Sequence, residues 1–322
     1  MQNLPPRPEY IFRGHQAEVN SCCFFEKDKY IASGDAEGTL IIWSFETRRP
    51  IIQWKGHKES ILSVNIIDND KLISQGRDHM IHIWQLDLKL STEEPPSLIY
   101  TLNYYALNYC KLSLCTINDN TLICLPAKGD TPLLDIFDLA KKEWLIQNIG
   151  DEDNEKRRLC MAVQLCILND EHLGILSGYE NGEVVLWDYT ISSKQFELKW
   201  KVQEHQQPIL DLATFQDNAY STCIDDQIVK YNLKKGGVLK KIKAKKPGMA
   251  CIRVRNDNKI FMTGGYDGRI RVYSVKTMNP LAILSYHRDS VYCVNFATEM
   301  KQDMHWLIGG GKDGRISLWQ LY

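Results

Sequence analysis

No stretch of this chain stays apolar for the ~18–20 residues that a bilayer-spanning helix needs, so no helical membrane span is expected. None of its ten cysteines falls in a C-x-x-C pair, the spacing common to many zinc sites and to thioredoxin-like redox motifs. The cysteines sit instead in apolar runs such as "VNSCCFF" and "VYCVNF". There a thiol behaves as a small hydrophobe, and reduced cysteines in a cytosolic or nuclear compartment are expected. Neither sign of charge is in excess. The formal net charge is −1, so no global field draws the protein to nucleic acid or to an anionic membrane. The opening "MQNLPPRPEY" lacks an apolar core, and a secretory signal is not expected. At 322 residues, 44% hydrophobic and 25% charged, the chain has an ordinary globular composition and room for two domains or one large one.

What is present is repetition. Seven runs of β-forming residues end in an aromatic: "GTLIIWS" at Trp43, "HMIHIWQ" at Trp84, "PLLDIFD" at Phe137, "GEVVLWD" at Trp187, "DQIVKYN" at Tyr231, "GRIRVYS" at Tyr273 and "GRISLWQ" at Trp319. The intervals between them are 41, 53, 50, 44, 42 and 46 residues. A four-stranded propeller blade repeats every ~40–45 residues. Each period reads as four strands. The first, such as "ILSVNII" at 61–67, is apolar on both faces. A second follows, as in "KLISQG" or "IFMTGG", then a tight Gly/Asp/Asn turn and the aromatic strand. The fourth opens on proline in "PIIQWK" (Pro50) and "PLAILS" (Pro280), which suits an outer edge where no ladder donor is lost. No long amphipathic helix fits what remains. Single blades cannot bury both faces, so the units must pack against one another.

The last period ends at "ISLWQLY", its third strand, while "PEYIFR" from Pro8 precedes the first period as a fourth strand without a blade. Residues 8–13 are therefore expected to complete the last blade and cover its edge. The expectation is an all-β chain, one domain over 1–322, folded as a seven-bladed propeller closed by its N-terminal strand.

This pattern resembles the WD-repeat family. In that family a buried chain links a His before the first strand, a Ser or Thr on the second, an Asp in the next turn and the Trp of the third. The second period carries all four as His57, Ser74, Asp78 and Trp84, and the fifth carries His205, Ser221, Asp225 and Tyr231. The first offers His15, Ser33, Glu37 and Trp43, with Glu at the Asp place. The seventh has His287, Asp313 and Trp319, with Gly309 at the Ser place. The sixth keeps Thr263 and Asp267 without a His, the fourth keeps Ser177 and Trp187 with Asn181 for Asp, and the third matches weakly. His, Ser and Asp together invite a hydrolase reading, but the set recurs at blade spacing, whereas a catalytic site is normally single. "GGGKDG" near Lys312 lacks the spacing and the following helix of a phosphate loop.

"SQGRDHMIHIW", "GYENGEVVLWD", "GGYDGRIRVYSVKTMNPLAILSYHRDSVYCVNF" and "GGKDGRISLWQLY" resemble more narrowly the fungal ASTRA-associated WD-repeat proteins and their vertebrate guanine-nucleotide-binding-protein β-subunit-like relatives. The match is weakest from about 88 to 160. The resemblance implies a non-catalytic scaffold, nuclear with the cytoplasm as a second compartment, in a chromatin-linked assembly. It also implies partners among the subunits of that assembly and the co-chaperones of phosphatidylinositol-3-kinase-related kinases. No cofactor, metal, catalytic residue, nucleic-acid or membrane partner is implied. The alternatives are a propeller-type small-molecule hydrolase and a β-subunit-like signalling adaptor. A true β subunit would need an N-terminal helix to pair with a γ chain, which Pro5, Pro6 and Pro8 oppose. A cullin-receptor role is weakened because Trp187-Asp188 is followed by Tyr189 and Thr190 and not by x-Arg.

Residues just before the turn acid are expected at the rim of one face: Arg77, Glu180, Tyr266 and Lys312. They are the candidates for partner contact, Arg and Tyr being enriched where interfaces concentrate energy. Three further stretches stand out. "KKGGVLKKIKAKK" (234–246) is an import signal, a dock for an acidic partner, or an edge strand guarded by lysine. "STEEPPS" within 88–100 and "GDEDNEKRR" (150–158) read as solvated loops that could carry binding.

Overall fold

A computed structural model of the chain describes residues 6–68, 70–87, 94–105, 109–117, 120–151, 153–299 and 304–321. Its strands are β1 (Tyr10–Arg13); β2 (Val19–Phe25), β3 (Tyr30–Asp35), β4 (Thr39–Ser44) and β5 (Pro50–Lys55); β6 (Ile61–Ile67), β7 (Lys71–Gly76), β8 (Met80–Gln85) and β9 (Ser97–Asn103). There follow β10 (Ser113–Ile117), β11 (Asn120–Pro126), β12 (Leu134–Asp138) and β13 (Glu143–Ile149); β14 (Cys160–Asn169), β15 (His172–Tyr179), β16 (Glu183–Thr190) and β17 (Gln195–Gln203). The remainder are β18 (Ile209–Phe215), β19 (Asn218–Cys223), β20 (Gln227–Asn232) and β21 (Val238–Lys243); β22 (Met249–Val254), β23 (Ile260–Gly265), β24 (Arg269–Ser274) and β25 (Pro280–Ser285); and β26 (Val291–Phe296), β27 (His305–Gly311) and β28 (Arg315–Leu321). Among the described residues the one helix is the single turn α1 (Asn154–Arg157).

The strands form seven four-stranded sheets, six of them from four consecutive strands and the seventh in the order β1-β28-β27-β26. The fold is an all-β, seven-bladed β-propeller whose last blade is completed by the N-terminal strand, as the sequence predicts. Tyr10, Ile11, Phe12 and Arg13 pair with Leu318, Ser317, Ile316 and Arg315. By contact the chain separates into two compact units, Met1–Tyr104 with Arg255–Tyr322, and Tyr105–Val254.

Burial follows the strand's place in its blade. β3 and β4 are buried at nearly every position, so they read as continuous apolar runs, whereas β5 buries only Trp54 fully. In six blades the ladder between third and fourth strands slips at the aromatic of the third: at Trp43, Trp84, Phe137, Trp187, Tyr231 and Tyr273. Such bulges bend and twist the bulged pair. The β1–β28 pair has no slip, and its register stops at Leu318, one residue short of Trp319.

In the first unit, Phe12, Val19, Ile31, Ile41, Trp43, Ile316 and Leu318 belong to one buried cluster. Phe12 meets the Trp43 ring edge-on with centroids 5.4 Å apart, so β1 is bonded to the last blade while packing on the first. In the second unit Leu122, Ile136, Cys160, Ile175, Tyr179 and Trp187 form a comparable core. At Gly38, Gly182 and Gly268 glycine is required by space as well as conformation. At Gly38 (φ +81°) an added Cβ would lie 2.3 Å from the carbonyl oxygen of His57.

Candidate interaction surface

The turns between second and third strands are held from beneath by buried polar chains. In the second blade Trp84 Nε1 donates to Ser74 Oγ (2.9 Å), Ser74 Oγ lies 2.8 Å from His57 Nε2, and His57 Nδ1 lies 2.9 Å from Asp78 Oδ1. A carboxylate accepts only, so Nδ1 carries the proton and Nε2 accepts from the serine. Asp78 then fixes the loop, taking the Lys58 N–H on Oδ2 (2.9 Å) and the Met80 N–H on Oδ1 (3.3 Å). Burial pushes the Asp78 carboxyl up, but the His57 hydrogen bond, the two amides and the histidine charge outweigh it and leave its pKa below the ordinary 3.8. The fifth blade repeats the arrangement. His205 Nδ1 is 3.0 Å from Asp225 Oδ2, its Nε2 is 2.8 Å from Ser221 Oγ, and Tyr231 OH stands 2.9 Å from that hydroxyl in place of an indole.

The first blade corrects the sequence expectation. Its acid is Asp35, not Glu37: Asp35 Oδ2 lies 2.8 Å from His15 Nδ1, while His15 Nε2 reaches Ser33 Oγ at 2.7 Å and Trp43 Nε1 donates to the same oxygen at 2.8 Å. Asp35 stands two residues beyond the serine, where the second blade has Gly76. An added Cβ at Gly76 would fall 2.2 Å from His57 Nδ1, so the two positions are alternative routes to one spot. Glu37 contributes its backbone N–H to Asp35 Oδ1 (3.0 Å).

Other blades reach a similar end with different residues. In the seventh, Gly309 carries no hydroxyl, and Ser317, its ladder partner, supplies one: Ser317 Oγ is 2.8 Å from His287 Nε2 and 2.8 Å from Trp319 Nε1. His287 Nδ1 lies 3.0 Å from Asp313 Oδ1. In the sixth, Arg271 replaces the missing histidine and donates to both Asp267 oxygens, at 2.9 and 2.5 Å. In the fourth, Trp187 still donates to Ser177 (3.1 Å), and Ser177 donates to Tyr179 OH (3.1 Å). Asn181 accepts the Glu183 N–H at 3.0 Å. In the third, the ladder places Leu125 and Phe137 where a hydroxyl and an indole would be, and no such chain is possible between them.

The 150–158 stretch, outside residue 152, has an unforeseen role. Arg157 on α1 is fully buried and ion-paired with Asp151 and, at 2.5 Å, with Glu183. Its guanidinium stands 5.3 Å from the Tyr179 ring and 5.5 Å from the Trp187 ring. Burial alone would lower its pKa, yet the Asp151 and Glu183 hydrogen bonds raise it above the ordinary value. Of the 88–100 stretch, 88–93 lie outside the described residues, and its end is already β9 from Ser97.

None of these serines is placed as a nucleophile. Ser33, Ser74, Ser221 and Ser317 are all 0% exposed, and each is held between a histidine and the aromatic of its blade. Two groups, His57/Asp78/His82 and His205/Cys223/Asp225, bring three potential metal-ligand atoms within 4.8 Å of one another. In both, the central histidine already uses its two ring nitrogens on Ser and Asp. His82 stacks on His57 with centroids 4.6 Å apart, and burial followed by the His57 charge lowers its pKa to about 4.

Above the chains lie the turn residues. In the first unit Arg77 and Lys312 are exposed and Tyr266 is 43% exposed. The Arg77 N–H bonds the Ser60 carbonyl (2.9 Å), that of Lys312 the Ser290 carbonyl (2.8 Å), and the Tyr266 carbonyl accepts from Ser290 Oγ (3.3 Å). In the second unit Glu180 N–H bonds the Leu159 carbonyl (3.0 Å), and its half-buried carboxylate faces Arg158 at 3.6 Å. The arrangement offers cationic, aromatic and acidic side chains on backbone that is tied down.

Known proteins place the chain. The family model described as ASTRA-associated protein 1 matches residues 8–291, and the WD domain, G-beta repeat, matches 278–320. ASTRA-associated protein 1 of Penicillium rubens is 28% identical over 99% of this chain and 98% of its own length. Its Schizosaccharomyces pombe counterpart is 28% identical over 98% and 99%. Guanine nucleotide-binding protein subunit beta-like protein 1 of Mus musculus is 29% identical over 99% and 97%. With blades, buried chains and near full-length similarity in agreement, the chain belongs to the ASTRA-associated protein 1 family.

Proposed function

We propose that this protein is a non-catalytic subunit of a nuclear ASTRA-type assembly linked to chromatin remodelling. In this reading it holds other subunits, and the co-chaperones that assemble and stabilise phosphatidylinositol-3-kinase-related kinases, against one face. The relatives' printed name, "ASTRA-associated", supports the assembly, and a WD-repeat propeller of this family supports protein interaction as its mode of action. The observation that carries the reading is the pairing of exposed Arg77, Tyr266 and Lys312 with turns fixed by buried chains. Side chains presented on preordered backbone lose less entropy on binding.

Affinity capture of the tagged full chain from its native cells tests this. Recovery of such a kinase with its co-chaperones is the expected result. A capture that contains none of them contradicts the reading and leaves the fold standing.

A further inference from the structure

One outer strand departs from all the others. Residues 234–246, which include β21, hold seven lysines and no acid. The chain's formal net charge is −1, so with these seven positive charges set aside the remainder stands at −8. The strip is a cationic island on an acidic protein.

Edge protection does not account for it. Lysine can keep an edge strand from pairing with other chains. Yet β9 (Ser97–Asn103) and β25 (Pro280–Ser285) occupy the same outer place and have no charged residue at all. Lys240 also stands opposite Lys230 in the ladder. Like charges directly opposite one another cost stability, so folding alone does not favour this choice.

The surroundings neutralise only part of the strip. Lys234 pairs with Asp217 at 2.8 Å, Lys241 with Glu204 at 3.0 Å and Lys243 with Asp226 at 3.7 Å. Lys235 before β21, and Lys245 and Lys246 after it, are exposed and make no ion pair among the described residues. β21 bonds β20 on one side and is the outermost strand of its sheet. Its six residues span about 20 Å, which separates the two unpaired ends.

We propose that this strip is a docking surface for an acidic protein segment, extended over about six to eight residues along β21. Its carboxylates would meet Lys235 at one end and Lys245 and Lys246 at the other. The charge balance selects the occupant. Beyond a Debye length of about 8 Å a large polyanion meets the acidic remainder of the protein, whereas a short segment stays within the strip's own field. No aromatic interrupts the lysines, so stacking on unpaired bases has no platform. This surface uses none of Arg77, Tyr266 and Lys312 and does not depend on their role.

Fluorescence anisotropy with the full chain and a labelled ten-residue peptide alternating Glu and Ser tests the proposal. Saturable binding is expected, absent for the Gln/Ser analogue and weakened by raising salt from about 50 to about 300 mM. Lys235→Gln/Lys245→Gln/Lys246→Gln should weaken it about tenfold, while Lys235→Arg/Lys245→Arg/Lys246→Arg retains it. Melting curves check that both variants fold. No binding by the wild-type chain, equal binding by a folded Gln variant, or tighter binding to a DNA duplex or to phosphatidylserine vesicles overturns the proposal.

Discussion

Ser317 Oγ lies 2.8 Å from His287 Nε2, although Ser317 is on the third strand of its blade, across the ladder from the place where the hydroxyl was expected. Its oxygen also takes the Trp319 indole N–H at 2.8 Å. Ser317→Ala removes the acceptor of the buried Trp319 N–H and one of two partners of His287 Nε2, which keeps the Gly309 carbonyl at 3.1 Å, and should cost about 1–3 kcal/mol. Adding Gly309→Ser should restore only part of the loss, because an added Cβ there falls 2.4 Å from Ile270 Cδ1 and the buried Ile270 side chain has to turn aside. Urea midpoints of the three proteins decide it. An unchanged midpoint for the single variant excludes a stabilising role for the hydroxyl.

Asp78→Ala should destabilise the second blade by about 1–3 kcal/mol, since it strands the buried His57 ring N–H and takes the acceptor from the part-buried Met80 amide, the exposed Lys58 amide turning to water. Coincident denaturation curves for variant and wild type would remove Asp78 from the chain.

Acid should act on the same groups. Asp35, Asp78, Asp267 and Asp313 all have folded-state pKa values below 3.8. In each, burial opposes the shift, and hydrogen bonds from His15, His57, Arg271 and His287 lead the groups that overcome it. A depressed carboxyl contributes stability above its unfolded value and loses it as pH falls through the folded one. The contribution should therefore be complete above about pH 5 and lost progressively below about pH 4. Urea midpoints from pH 7 to 3 measure it. Midpoints that stay level down to pH 3 contradict it.

How much of this was visible beforehand depended on distance along the chain. The blades were legible because buried strands show as apolar runs and turns as Gly and Asp. The chains of the second and fifth blades were legible because His, Ser, Asp and aromatic stand in family order. Asp35 was missed because two acids, Asp35 and Glu37, flank the same turn and only space distinguishes them. Ser317 and Arg271 were missed because they lie opposite Gly309 and Thr263 through strand pairing. A signal did exist. Each is a polar residue two places before the blade's aromatic, where the first, fourth and fifth blades have Ile41, Val185 and Val229. Arg157 was hidden by its neighbours, since one buried arginine within "GDEDNEKRR" looks like the rest of a solvated loop.

Arg157→Met should destabilise by about 3–5 kcal/mol, because it leaves Asp151 and Glu183 without their shared cation. Lysine should not substitute, as it lacks the planar fork that serves both acids. Thermal melts of the Met and Lys variants check both statements, and a Lys variant equal to wild type would contradict the second.

Removing residues 1–13 should expose β28 as an open edge and uncover Trp43, which Phe12 now packs against. Phe12→Ala alone should cost about 3–5 kcal/mol. Limited proteolysis and melting read both variants, and unchanged patterns would mean that β1 does not hold the last blade.

The function is tested most directly at the turns. The triple variant Arg77→Ala/Tyr266→Ala/Lys312→Ala should keep the wild-type melting temperature closely, since exposed substitutions usually stay within about 0.5 kcal/mol each. In pull-downs against the kinase co-chaperone assembly, it should capture markedly less than the wild type. Equal capture by the two proteins would contradict the claim that partners are held through these turn residues.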